Sequence, residues 1–135
     1  MKRLVLAALA ALALSAPSAA AERAADAAEF KGYVDSCAGN TDERGVDGCI
    51  ADQVLAKVSY LGDILSETAN GLTDTNAKLQ YAAQDKFEAY GKAACSYQLA
   101  ALKSADKRAE LFCMLRLVNQ RIADVIEGED FLTRD

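Results

Sequence analysis

Apolar residues recur along most of this chain at steps of three and four, the period of an amphipathic helix. Four segments carry that signal. From about Cys49 to Ala69, the residues Ile50, Val54, Val58, Leu61 and Leu65 step by four, four, three and four, and so share one helix face. From Ser104 onward, Leu111, Leu115, Val118, Ile122 and Val125 step by four, three, four and three. A helix from about Thr75 to Leu102 places Leu79, Ala83, Phe87, Tyr90 and Ala94 in its predicted buried stripe, with Cys95 beside them. The segment from about Glu22 to Ser36 is rich in alanine, with Phe30, Tyr33 and Val34 as its only bulky apolar residues. A short helix of that kind is marginal in water and needs a partner surface. Nowhere does strand-like alternation with hairpin turns occur. The expected fold is therefore all-α, a small bundle of about four helices.

Polar punctuation divides these segments. The stretch AGNTDERGVDG (Ala38 to Gly48) is dense in Gly, Asn and Asp and reads as a loop throughout. Asn70 and Gly71 form a stop signal, with Gly71 expected in the left-handed position past a helix end. Gly91 lowers helix propensity by about 1 kcal/mol relative to Ala, which close packing by another helix would explain. Ser104 is the expected N-cap of the last helix, with Asp106 in its first turn. Gly128 is expected to end that helix, leaving EDFLTRD as a polar tail.

The amino-terminal end has a different pattern. Lys2 and Arg3 precede an unbroken apolar run, LVLAALAALAL (Leu4 to Leu14), followed by Pro17 and the small residues Ser18 to Ala21. That order is the pattern of a secretory signal peptide. The run is shorter than the roughly 20 residues that span a bilayer. Ala19 and Ala21 satisfy the small-x-small cleavage rule, so residues 1–21 are expected to be removed and residues 22–135 to form a single domain. No cysteine stands at the cleavage point, as a lipoprotein would need, and no integral membrane segment is expected after cleavage. The expected location is periplasmic or secreted.

Removing 21 of 135 residues leaves 114, enough for one domain with a modest core. With Lys2 and Arg3 gone, 13 basic residues face 20 acidic ones, a net charge of about −7. Nucleic acid is thereby disfavoured as a partner, since binding phosphates takes clustered Lys and Arg. A cationic partner fits the charge better.

All four cysteines, Cys37, Cys49, Cys95 and Cys113, lie beyond the apolar leader, and their number is even. In an oxidising compartment that reads as two disulfides. Three connectivities are open. Pairing neighbours, Cys37 with Cys49 and Cys95 with Cys113, is the expected one, because each bridge would close a short loop around one helix–helix connection. The chain has no CxxC and no histidine, so neither a zinc site nor an imidazole acid or base is expected. Bridged cysteines are not nucleophiles. The carboxylate pair Asp124 and Glu127 has the spacing of a solvated helix face. No cofactor is implied, and the chain reads as non-enzymatic.

The order of motifs has a parallel. A cysteine pair flanks a polar loop, an amphipathic helix follows, then LQYAAQDKFEAYGKAAC, then a fourth cysteine in CMLRLVNQRI. From about Cys37 to Val125 this resembles the LprI-type lysozyme inhibitor family, small secreted bacterial helical proteins formerly classed as a domain of unknown function. The matching positions are Leu79, Ala83, Gln84, Phe87, Tyr90 and Cys95, then Cys113, Arg121 and Ile122. Phe87 stands where that family usually has tryptophan, and Gly91 where it has arginine. The plain reading of these positions is packing: Phe87 and Tyr90 in the core, with Gln84 satisfying a buried backbone group or Arg121.

Two functions follow as expectations. The resemblance implies a binding protein that inhibits a cationic lysozyme, an enzyme type that cuts with two carboxylates in a cleft. Its candidate partner-binding loop is the polar stretch with Asp42, Glu43, Arg44 and Asp47, pinned at both ends and so pre-organised. The alternative is an envelope structural or interaction protein with a different partner, such as another cell-wall protein.

Overall fold

A computed structural model describes residues 19–103 and 106–132, the side chains of 129–132 excepted. The apolar leader up to residue 18 and the expected N-cap Ser104 lie outside them. Four helices make up the fold: α1 (Ala19–Cys37), α2 (Gly45–Asn70), α3 (Asp74–Ala101) and α4 (Lys107–Leu132). Among the described residues there is no strand, and no helix is long and apolar enough to cross a membrane.

The central unit is the α2–α4 pair. Ile50 and Val54 of α2 pack with Leu111 and Leu115 of α4 in one cluster, which also holds Cys37. Leu61, Ile64 and Leu65 pack with Val118, Ile122 and Val125 in a second. Residue numbers rise together along this seam, so the two helices run parallel. α1 and α3 run antiparallel to them and each contacts both, without touching one another. The order along α1 is fixed by Cys37 at Cys49 and Glu29 at Lys57. That along α3 is fixed by Cys95 at Cys113, Gly91 against Leu117 and Gln84 at Arg121. Both disulfides join the neighbours in sequence, as expected, with Cα–Cα distances of 5.7 Å in each.

The α4 stripe is buried in full. On α2, Val58 is 37% exposed, while Ile64 and Thr68 enter the core instead. The buried Thr68 hydroxyl is satisfied because Oγ1 donates to the Ile64 carbonyl at 2.8 Å. At this level of α2 the neighbour of α1 is Lys57 and not Val58, a displacement of one position around the helix.

On α3 the expected stripe is wrong. Leu79 and Tyr90 are 63% and 64% exposed, Ala83 is exposed, and Phe87 and Ala94 are only half-buried. The covered face runs through Gln80, Gln84, Phe87, Gly91 and Cys95. Two local constraints turn the helix this way. Cys95 must reach Cys113, and Gly91 lies where a Cβ would come within 3.3 Å of Leu117 Cδ1. The expectation of close packing at Gly91 therefore holds, although the hydrophobic pattern selects a different face.

Helix ends also differ. α2 starts at Gly45, so the loop is only residues 38–44. Gly71 has φ −86° and is not left-handed; its amide donates to the Thr68 carbonyl at 3.1 Å. The left-handed residue past a helix end is instead Lys103, with φ 48°, after α3. Thr73 caps α3 by accepting from the Asn76 amide. Asp106 caps α4, its Oδ1 accepting from the Arg108 amide at 2.9 Å. α4 also continues past Gly128 to Leu132. With no side-chain clash at Gly128, nothing there forces a stop.

Each bridge closes a loop short enough that its loss should cost about 3 kcal/mol in the chain-entropy view. The double substitution Cys95→Ala with Cys113→Ala should lower the unfolding free energy from urea titration by that amount, and the midpoint with it, while the far-ultraviolet helical signal at zero urea is kept. An unchanged midpoint would mean that α3 is held to α4 by its other contacts alone.

Candidate functional site

The stapled end of the bundle is built by residues 38–44 and the first turn of α2. Gly45 has φ +64°, a left-handed conformation that glycine adopts freely, and it lets the chain turn into the helix. A Cβ on Gly48 would overlap the Arg44 Cβ, so the tight first turn depends on that glycine as well. Asp42 secures the turn: its Oδ1 accepts from the Arg44 amide at 2.9 Å and the Gly45 amide at 3.0 Å. Asn40 Nδ2 donates to the Gly45 carbonyl at 3.1 Å. The Asn40 side chain, with the Arg44 and Gly45 amides and the Arg44 charge, holds the Asp42 carboxyl below its usual range despite its own desolvation.

The four candidate loop residues therefore differ in what they are free to do. Arg44 forms a bidentate pair with Asp52, one arm at 2.8 Å. Asp47 lies inside α2 and accepts from Arg108 Nε of α4 at 2.7 Å. Asp42 is a cap. Glu43 alone points to solvent with no hydrogen bond or ion pair among the described residues. Beside this loop lies an open groove of about 440 Å³ lined by Ser36, Gly39, Asn40, Asp42, Cys49, Asp52 and Gln53.

A second polar cluster lies between α1, α2 and α4, and no motif in the sequence announces it. Glu29 receives hydrogen bonds from Tyr33 at 2.6 Å, Lys57 Nζ at 2.9 Å and Asn119 Nδ2 at 2.8 Å. Asn119 Nδ2 also donates to Asp26 at 2.9 Å. Burial works to raise the Glu29 carboxyl, but the three donors and the Lys57 charge outweigh it and hold the group below its usual range. Burial, then the adjacent carboxylate, push the Tyr33 phenol well up. Next to them Arg116 sits 6.0 Å from the Phe112 ring centre, and Phe112 itself meets Phe30 at 5.2 Å. The only sequence trace of this cluster is the spacing of Glu29 and Tyr33, one helical turn apart on α1.

The motif positions shared with the resemblance divide between two places. Arg121 Nε donates to Gln84 Oε1 at 3.0 Å and its guanidinium lies 5.6 Å from the Phe87 ring centre, so these three join α3 to α4. Gln84 Nε2 in turn donates to Glu88 at 3.1 Å. Ile122 is in the core, next to Val118. Leu79, Ala83 and Tyr90 point away from this contact into solvent. The pairing of Gln84 with Arg121 is a packing contact.

None of these places assembles a nucleophile with a base. Asp124 and Glu127 are both exposed on α4. Among the described residues no group of histidine, cysteine, aspartate or glutamate is placed to hold a metal ion. Both disulfides suit an oxidising compartment. Comparison with protein-family profiles, with characterised proteins and with solved structures finds no match.

Two measurements check these assignments. Because the Glu29 carboxyl is held low in the folded chain, its contribution is present above the ordinary carboxylate range and is lost as pH falls through the folded value. Glu29→Gln should thus cost about 1–2 kcal/mol near neutral pH, with the gap to the parent closing in acid. A gap that stays constant with pH would contradict this. At the loop, Gly45→Ala should cost about 1–2 kcal/mol because alanine does not tolerate the left-handed φ; chemical denaturation measures it.

Proposed function

We propose that this chain is an exported, non-enzymatic binding protein of the bacterial envelope that works through the stapled end of its bundle. The first partner to test is a cationic lysozyme. The carrying observation is that loop 38–44 is fixed at one end by the Cys37–Cys49 bridge and at the other by the Asp42 cap, leaving Glu43 exposed beside an open groove bordered by Asp42 and Asp52. A pre-organised loop loses little entropy on binding. The acidic balance of the chain, with 20 acidic against 15 basic residues, steers it toward a basic partner. The similarity of its cysteine and helix motifs to the LprI-type inhibitors supports the choice of lysozyme.

The test is the clearing of a cell-wall suspension by lysozyme with and without the purified protein. Inhibition should weaken as salt is raised, since screening over a Debye length of about 8 Å at physiological strength acts on the encounter. Glu43→Lys should slow association without lowering stability, because that side chain holds nothing in the fold. Asp42→Asn and Asp47→Asn are poorer probes, as each also loosens the start of α2. Full lysozyme activity at large molar excess and low salt would refute the inhibitor reading. One observation favours the alternative of an interaction protein with another partner: Leu79, Tyr90 and Tyr97 on α3 are large apolar side chains left exposed.

A further inference from the structure

The two disulfides differ in how a thiol can reach them. Cys95 and Cys113 are both buried, 5% and 8% exposed, where α3 meets α4. Cys37 has no exposed surface at all and is enclosed with Ile50, Val54, Leu111 and Leu115. Its partner Cys49 is only half-buried. It lines the open groove of about 440 Å³ beside loop 38–44, together with Ser36, Gly39 and Gln53. Thiol–disulfide exchange needs a thiolate to meet a sulfur, so access decides which bridge opens and which of its sulfurs is attacked.

We infer that the Cys37–Cys49 bridge is a redox-sensitive staple, entered by a dithiol from the groove at Cys49 and opened while Cys95–Cys113 stays closed. In the first step the attacking sulfur bonds to Cys49 Sγ as the Cys37–Cys49 bond breaks. The electron pair leaves on Cys37 Sγ, which takes up a proton. Ser36 Oγ lies 4.0 Å from that sulfur and can donate to it as charge develops. In the second step the dithiol's other thiolate displaces Cys49, so the dithiol ends as a disulfide and the chain gains two electrons and two protons. Leaving-group chemistry opposes this direction, because a thiol enclosed by aliphatic side chains forms its thiolate reluctantly. Access outweighs it, since Cys37 is closed to any reagent while the bundle is folded.

What the staple holds is local. Cys37 is the last residue of α1, and beyond it the Asn40 amide donates to the Cys37 carbonyl at 2.9 Å and the Ala38 amide to the Asp35 carbonyl at 3.4 Å. The other end of the loop is tied to α2 by Asp42, which reduction does not touch. Phe30, Tyr33 and Val34 keep their own contacts with the core, so the release centres on the α1 side of the loop. Opening the bridge therefore removes one of the loop's two anchors. That consequence for binding rests on the reading of loop 38–44 as the recognition surface; the order in which the bridges open does not.

Timed reduction of the folded, oxidised protein by dithiothreitol, quenched in acid, alkylated and mapped by mass spectrometry, tests the order. The Cys37–Cys49 link should be lost first, with Cys95–Cys113 intact. With the monothiol cysteamine, the trapped mixed disulfide should sit on Cys49 and leave Cys37 as the free thiol. Gln53→Trp, a bulky side chain at an exposed position on the groove, should slow the opening of this bridge and leave the rate at Cys95–Cys113 unchanged. Hydrogen exchange at the stage where only this bridge is open should show the Ala38 and Asn40 amides losing protection while those of α3 keep theirs. Cys95–Cys113 opening first or together with Cys37–Cys49 overturns the proposal, as does an adduct carried on Cys37. So does an opening rate that Gln53→Trp leaves unaltered, since the reagent then does not enter by the groove, or an Ala38 and Asn40 protection that survives the opening.

Discussion

Two apolar clusters in series between α2 and α4 hold this protein together. Apart from Cys37 of α1, their members are aliphatic side chains from both helices, and fully burying each contributes about 1.5–3 kcal/mol. Because the pair is parallel, the chain must travel back along its full length between them. α2 has 26 residues and rises about 39 Å; α3, with 28, returns about 42 Å. The length of α3 is thus set by the seam it has to re-enter. Its own buried surface is small, with only Gln84 and Cys95 fully covered.

The outer helices are accordingly held by a few specific ties. α1 has the Cys37–Cys49 bridge at one end, the aromatic contact of Phe30 with Phe112 near its middle, and the Glu29 cluster beside it. α3 has the Cys95–Cys113 bridge, the close approach at Gly91, and the contact of Gln84 and Phe87 with Arg121. In both helices, the disulfide fixes rotation about the axis, and the polar contacts hold position along it. The same economy leaves the outside of α3 free to carry apolar residues that the core has no need of.

How much of this could be read in advance follows from where hydrophobicity and packing agree. Leu111, Leu115, Val118, Ile122 and Val125 form the seam, and their three-and-four spacing identified them, because in α4 the apolar face and the buried face coincide. The cysteine pairing was legible for a different reason, since each pair spans one connection. α3 misled because its apolar residues lie outside while Gln84 faces in, and a glutamine bonded to arginine gives no periodic signal. The true start of α2 is hidden because the glycines at 45 and 48 resemble loop residues, although both serve a tight first turn. Of the candidate loop, the sequence marked its charge and its anchors. That Arg44, Asp42 and Asp47 are each committed to a neighbour depends on helix positions and on Arg108 of α4, 61 residues away from Asp47.

Amide hydrogen exchange before and after reduction of both disulfides tests the central claim most directly. If the α2–α4 seam is the scaffold and the outer helices are tied on, the reduced protein should keep its slowest-exchanging amides in α2 and α4, around Val54, Leu61, Leu115 and Ile122. Those of α1 and α3 should lose protection first. Uniform loss of protection across all four helices on reduction, or α3 remaining slower than α2, would contradict it.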